Sequence, residues 1–153
     1  MALTFHAVRS IPKAAKASVS LVTTDAVDDG TAGAPKAQLE AAGFEGKVGQ
    51  THSWPDGGRV RALVGVGSAE KLTTDGIRRA AASIARSFGR HARIGVALPP
   101  SELDATAARQ ALAEGIRLGS YKFLTYKSEG KPTKLARVDV AGGSGARNQK
   151  IIA

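Results

Sequence analysis

The sequence predicts an α/β fold, a three-layer sandwich in which helices flank a mixed β-sheet. Three observations predict it. Residues 61–88 (RALVGVGSAEKLTTDGIRRAAASIARSF) have the pattern of a strand, a glycine-bearing loop and an amphipathic helix, the repeating unit of α/β domains. Short apolar or β-branched runs recur at 3–8, 18–24, 92–98 and 135–140, each of strand length. A proline–glycine turn at 54–58 folds the chain back on itself, which adds an antiparallel pair and makes the sheet mixed.

Taken in order, residues 3–8 give a first strand, and Pro12, Lys13 and Lys16 a polar connection. Residues 18–24 (SVSLVTT) give a second strand rich in β-branched side chains. The stretch from Asp25 to Pro35 (DAVDDGTAGAP) is a loop by composition. Pro35 suits a first helical turn, and 36–42 is a short helix stopped by Gly43. Residues 46–53 (GKVGQTHS) form the next strand, and Trp54-Pro55-Asp56-Gly57-Gly58 turns it into the strand at 59–66. There Ala62, Leu63, Val64 and Val66 are apolar, with Gly65 and Gly67 at the close. Ser68 to Leu72 connects onward. Thr73 or Thr74 can accept the first free backbone N–H groups of a helix, and Asp75 suits the positive end of its dipole. Ile77, Ala80, Ala81, Ile84, Ala85 and Phe88 share one helical face, with Arg78, Arg79, Ser83 and Arg86 on the other. Gly89 is the expected C-cap.

The strand at 92–98 (ARIGVAL) ends at Pro99 and Pro100, and Ser101 or Asp104 can cap the helix that follows. Its face of Ala107, Ala108, Ala111, Leu112, Gly115, Ile116 and Gly119 is small enough to lie close against the sheet. Residues 121–127 (YKFLTYK) carry three aromatics, and 135–140 (LARVDV) alternate as a last strand. The domain is thus expected over 1–140, with 141–153 (AGGSGARNQKIIA) the start of a linker to a further domain.

A chain of 153 residues is one domain with room for a real core. The absence of cysteine excludes a disulfide framework and thiolate chemistry. Neither a membrane-length apolar run nor a secretion-type N-terminus is present, so a cytoplasmic address and no membrane partner are expected. The formal charge of +9 admits phosphate-bearing partners, although no array of aromatics accompanies it.

Gly65-Val66-Gly67-Ser68 after a strand invites an anion or nucleotide loop, because glycine lets backbone N–H groups approach a phosphate. The dinucleotide fingerprint fails at Glu70, and the P-loop fails because no glycine precedes Lys71. Gly142-Gly143-Ser144-Gly145-Ala146 resembles a nucleophile elbow but lacks its last glycine, and no histidine lies downstream. Asp25, Asp28 and Asp29 do not have the spacing of a calcium loop. His6, His52 and His91 are scattered. Trp54 is either folded back on the core or an interface anchor. Tyr121, Phe123 and Tyr126, interleaved with Lys122 and Lys127, suit element-end packing better than base stacking. No nucleophile, base and orienting partner occur together, so no catalytic or metal residue is assigned.

Two segments together resemble a known family. LVGVGSAEKLTTDGIRRAAASIARSF is similar to the central strand–loop–helix in the N-terminal domain of leucyl (cytosol) aminopeptidases. AARQALAEGIRLGSYKFLTYKSE resembles that domain's later helix, with Glu114-Gly115, the run Leu118 to Phe123, and Tyr126-Lys127. The resemblance implies a macro-domain-like fold and a two-domain metallopeptidase that removes N-terminal residues, often leucine, from peptides. Two divalent cations, manganese or zinc, are expected in the C-terminal catalytic domain, outside these residues, and six subunits are expected to assemble. The chain is then a non-catalytic domain for assembly or regulation, partnered by its own catalytic domain. Two other functions are carried alongside. Some relatives bind DNA, for which Arg59, Arg61, Arg78, Arg79, Arg86, Arg90 and Arg93 are candidate phosphate contacts. The macro-like fold suggests ADP-ribose or a related nucleotide at Gly65, Gly67 and Ser68.

Overall fold

The computed structural model describes residues 3–27, 34–99, 101–126 and 134–141, with only the backbone of 121–126. Six strands follow the order β1 (Thr4–Val8), β2 (Ala17–Thr23), β3 (Thr51–Asp56), β4 (Arg59–Gly67), β5 (Arg93–Ala97) and β6 (Arg137–Ala141). The helices are α1 (Thr24–Val27), α2 (Lys36–Ala42), α3 (Thr74–Phe88) and α4 (Ala105–Tyr126). One sheet has the order β1-β6-β5-β2-β4-β3, parallel throughout except for β3, which runs antiparallel to β4 at the edge. This is the mixed, helix-flanked sheet that the sequence predicts.

Alternation along the strands splits the core between the two sheet faces. On one face Val19, Leu21, Val64, Val66, Ile94, Val96, Val138 and Val140 meet Ile77, Ile84 and Phe88 of α3 and Leu112 and Ile116 of α4. On the other, Val22 and Leu63 meet Leu39 of α2 and Phe44. β4 serves both layers, since Leu63 and Val64 are each fully buried on opposite sides of it. The Thr73 hydroxyl caps α3 by accepting from the Gly76 N–H at 3.1 Å, and Asp104 caps α4 by accepting from Ala107 at 2.9 Å.

The structure departs from expectation at several places. β3 covers Thr51–Asp56 rather than 46–53, and only Gly57 and Gly58 turn, at φ of +58° and +82°. A two-residue turn with both φ positive matches the twist of a hairpin, so Trp54, Pro55 and Asp56 stay in the strand. Pro55 is tolerated because β3 is an edge. Residues 43–50 form a loop instead, strapped by the Gln50 amide. Its Oε1 accepts from the N–H groups of Glu45, Gly46 and Lys47 at 2.9, 3.0 and 3.3 Å, and its Nε2 donates to the Gly43 carbonyl at 2.9 Å. This strap lies across Gly65, where any Cβ would overlap the Gly46–Lys47 backbone.

Asp25 to Val27 form the helical turn α1 rather than loop. Gly89 follows α3 at φ −66°, so its left-handed freedom is unused, unlike Gly43 after α2 at φ +70°. Gly115 and Gly119 face α3 rather than the sheet: Cβ atoms there would strike Arg78, Ala81, Ala82 and Ala85. Both series of numbers rise together, so α3 and α4 lie side by side and parallel. Ala141, expected to open the linker, closes β6 beside Val8 and Ala97, and 142–153, including the Gly142–Ala146 motif, lies outside the described residues. Asp28, Asp29 and Lys127 lie outside them too, and the aromatic run begins within α4.

Candidate functional site

The chemistry-bearing residues fall at four places. At the end of β4, Gly65, Gly67 and Ser68 come together, but the amides of Gly65, Gly67 and Ala69 already have partners. Gly65 N–H donates to the Gln50 carbonyl at 2.8 Å, and Gly67 N–H to the Gly46 carbonyl at 2.9 Å. The Ala69 N–H donates to the Asp25 carboxylate at 3.2 Å, so an internal anion sits where an external one was considered. Gly67 holds φ +86°, which is the turn's own requirement for glycine.

The seven candidate phosphate-contacting arginines do not converge. Arg59 donates to the carbonyls of Ala15 and Pro12 at 2.9 and 3.3 Å, tying the β1–β2 connection to β4. Arg61 lies 3.7 Å from Asp56 across the hairpin. On α3, Arg78 bridges Asp75 and Glu114 at 3.6 and 3.1 Å, and Arg79 pairs with Asp75 at 3.0 Å. Arg86 donates to Ser83 Oγ and Arg90 to the Ser87 carbonyl, at 3.0 and 3.2 Å. Arg93 points from the opposite sheet face.

Around Trp54, the ring centroid of His52 lies 5.4 Å away and Phe44 a further 6.2 Å from His52, with Gln38 Nε2 and His52 Nε2 2.9 Å apart. Trp54 is half-buried against the layer of Leu39, Phe44 and Leu63. An open depression of about 500 Å³ lies over Leu39 and Phe44, between the ion pairs Lys36–Glu40 and Lys47–Glu45 at 4.0 and 2.9 Å. Glu45 raises the Lys47 ammonium above its ordinary value, by its hydrogen bond first and its charge second.

The fourth place is one that sequence reasoning missed. Asp139 of β6 is fully buried, yet it is a carboxylate. Arg93 Nε donates to its Oδ2 at 2.7 Å and Arg137 Nε to its Oδ1 at 2.9 Å. Arg93 and Arg137 are register partners on adjacent strands, which brings both guanidinium groups to one carboxylate. The spacing Arg137-x-Asp139 in a strand was a signal, since i and i+2 share a face. The partner from β5 was beyond local reading.

Among the described residues no three histidine or acidic side chains converge where a metal ion could sit. Most of the described carboxylates are instead tied to arginines, lysines or backbone N–H groups, so the residues present do not fit a two-cation centre. No helix among them is long and apolar enough to cross a membrane.

Set beside known proteins, residues 8–130 match the model of the cytosol aminopeptidase family, N-terminal domain. The chain belongs to the cytosol aminopeptidase family, and what it contains is that family's N-terminal domain. Among its relatives is a protein of Synechococcus elongatus described as a probable cytosol aminopeptidase, 36% identical over 119 residues, or 72% of this chain and 24% of the relative. A counterpart from Acaryochloris marina is 38% identical over 93 residues, covering 56% of this chain and 19% of its own length. The chain spans about a quarter or less of the length of these curated relatives. Among solved structures, the bottromycin maturation enzyme BotP superimposes with a TM-score of 0.64 at 30% identity, over 84% of this chain and 27% of BotP. BotP is also described in complex with Mn. A tomato leucine aminopeptidase mutant shares the fold, with a TM-score of 0.72 at 21% identity over 94% of this chain and 33% of its own. The family resemblance in the sequence is borne out.

Proposed function

We propose that this chain is the non-catalytic N-terminal domain of a leucyl aminopeptidase, serving assembly or access rather than bond cleavage. The observation that carries the reading is the match of residues 8–130 to the N-terminal model, with about three quarters or more of the matching relatives lying outside it. The engagement of most of its described carboxylates in ion pairs or backbone hydrogen bonds supports the same reading. Hydrolysis, a pair of manganese or zinc ions and the closing of a six-subunit assembly are assigned to the catalytic domain that follows in such proteins. The manganese complex of BotP supports that choice of metal. A cytoplasmic setting suits such a peptidase.

Nucleic-acid and ADP-ribose binding draw no comparable support, since the arginines occupy separate settings and the glycine-loop amides are committed. The test is hydrolysis of leucine amide by the 153-residue chain with manganese added. No turnover above the metal-only blank is expected, and turnover that follows the protein through purification would overturn the assignment.

A further inference from the structure

On the sheet face turned away from α3 and α4, Arg93, Arg137 and Asp139 make an unbalanced charge cluster. One buried carboxylate holds two guanidinium groups through their Nε atoms, at 2.7 and 2.9 Å. Among the described residues one positive charge therefore has no counter-ion. The terminal Nη groups of both arginines have no acceptor among the described residues, and no other described carboxylate pairs with either. The side chains are 29% and 40% exposed, open enough to be reached and buried enough to be partly desolvated. Thr4 and His6 of β1 stand opposite Arg137 and Asp139, and His6 Nε2 lies 3.3 Å from Thr4 Oγ1. Gly95, between the two strands' charged positions, is covered by Ile11.

A purely structural strut would need only one arginine. Like charges placed directly opposite on neighbouring strands repel, and the single negative charge of Asp139 offsets only part of the pair's positive charge. A carboxylate that accepts from both Nε atoms orients both guanidinium groups and leaves their Nη groups for another acceptor.

We propose that Arg93 and Arg137 form a binding site for a single oxyanion, a phosphate or a carboxylate, with Asp139 as the residue that positions them. The ligand would lie across the two outer guanidinium edges and restore charge balance, making two-point contacts that a lysine pair could not.

The test follows the Arg93 and Arg137 Nε–H signals of the ¹⁵N-labelled chain by NMR, during titration with inorganic phosphate and separately with acetate, against sodium chloride at matched ionic strength. Both signals are expected to move together and saturate with one of the two anions. Tighter binding of phosphate would assign the site to a phosphoryl-bearing ligand, and tighter binding of acetate to a carboxylate. Arg137→Gln should weaken binding at least tenfold. Arg137→Lys keeps the charge and, folded as its backbone spectrum would show, should weaken it comparably because the fork is gone. Arg78→Gln, on the far side of the sheet, should leave it unchanged. Equal shifts with chloride, no saturation with either anion, or full binding by folded Arg137→Lys would overturn the proposal.

Discussion

At the scale of single residues, His91 shows how placement sets the pH response. It follows α3, with its backbone N–H donating to the Phe88 carbonyl at 3.2 Å. Its Nε2 is buried without a hydrogen-bond partner among the described residues. Burial first, and the charge of Arg90 second, lower its pKa below the ordinary 6.5. The folded state thus binds a proton less readily than the unfolded chain. Stability attributable to His91 is intact above the unfolded pKa and is lost as pH falls through the lower folded value. Denaturant midpoints measured at pH 7.5 and pH 5.5 should fall further for the parent than for His91→Gln. Parallel losses would show that the imidazole does not carry the effect.

At the scale of elements, the contact between α3 and α4 depends on two glycines. A Cβ at Gly115 would overlap the Arg78 carbonyl oxygen, and one at Gly119 would lie 2.8 Å from the Cα of Ala82. Both obstacles are backbone and cannot turn aside. Gly115→Ala gains about 1 kcal/mol in helix propensity but overpacks by about 1–3 kcal/mol, so a net loss of up to about 2 kcal/mol is expected on chemical denaturation. Gly76→Ala is the control. Its Cβ would meet Thr73 Oγ1 and the Val66 carbonyl at an ordinary 3.6 Å, so the propensity term should prevail and stabilise the chain by up to about 1 kcal/mol. A loss at both sites, or at neither, would refute this account of the packing. The sequence made the small-residue face of α4 legible but not its partner, because periodicity says which residues share a face and not what lies against it. Period and caps likewise located α2, α3 and most strands to within a residue or two. β3 slipped because proline and tryptophan beside a Gly-Gly pair look like turn chemistry, and only the edge position explains why Pro55 can remain extended. The Arg93–Asp139–Arg137 cluster depends on the register between β5 and β6, which no single segment encodes.

At the scale of the whole molecule, the question is whether the two layers on either side of the sheet form one cooperative unit. The larger layer holds α3 and α4, and the smaller holds α2, Phe44 and Leu63 with Trp54 at its margin. They are joined through β2 and β4, whose successive residues serve opposite faces: Leu21 then Val22, Leu63 then Val64. The Gln50 strap and the packing of residues 46–47 over Gly65 bind the smaller layer to the same central strand. Melting the smaller layer would expose Leu63 and free β3 from β4, stripping the edge from the strand that anchors α3. A single transition is therefore expected. Trp54 is the sole tryptophan of the chain, so its fluorescence reports the smaller layer, while far-UV circular dichroism is dominated by α3 and α4. The two signals should trace superimposable denaturation curves. A fluorescence change that precedes the loss of helix would show instead that α2 and the β3–β4 hairpin unfold as a separate unit.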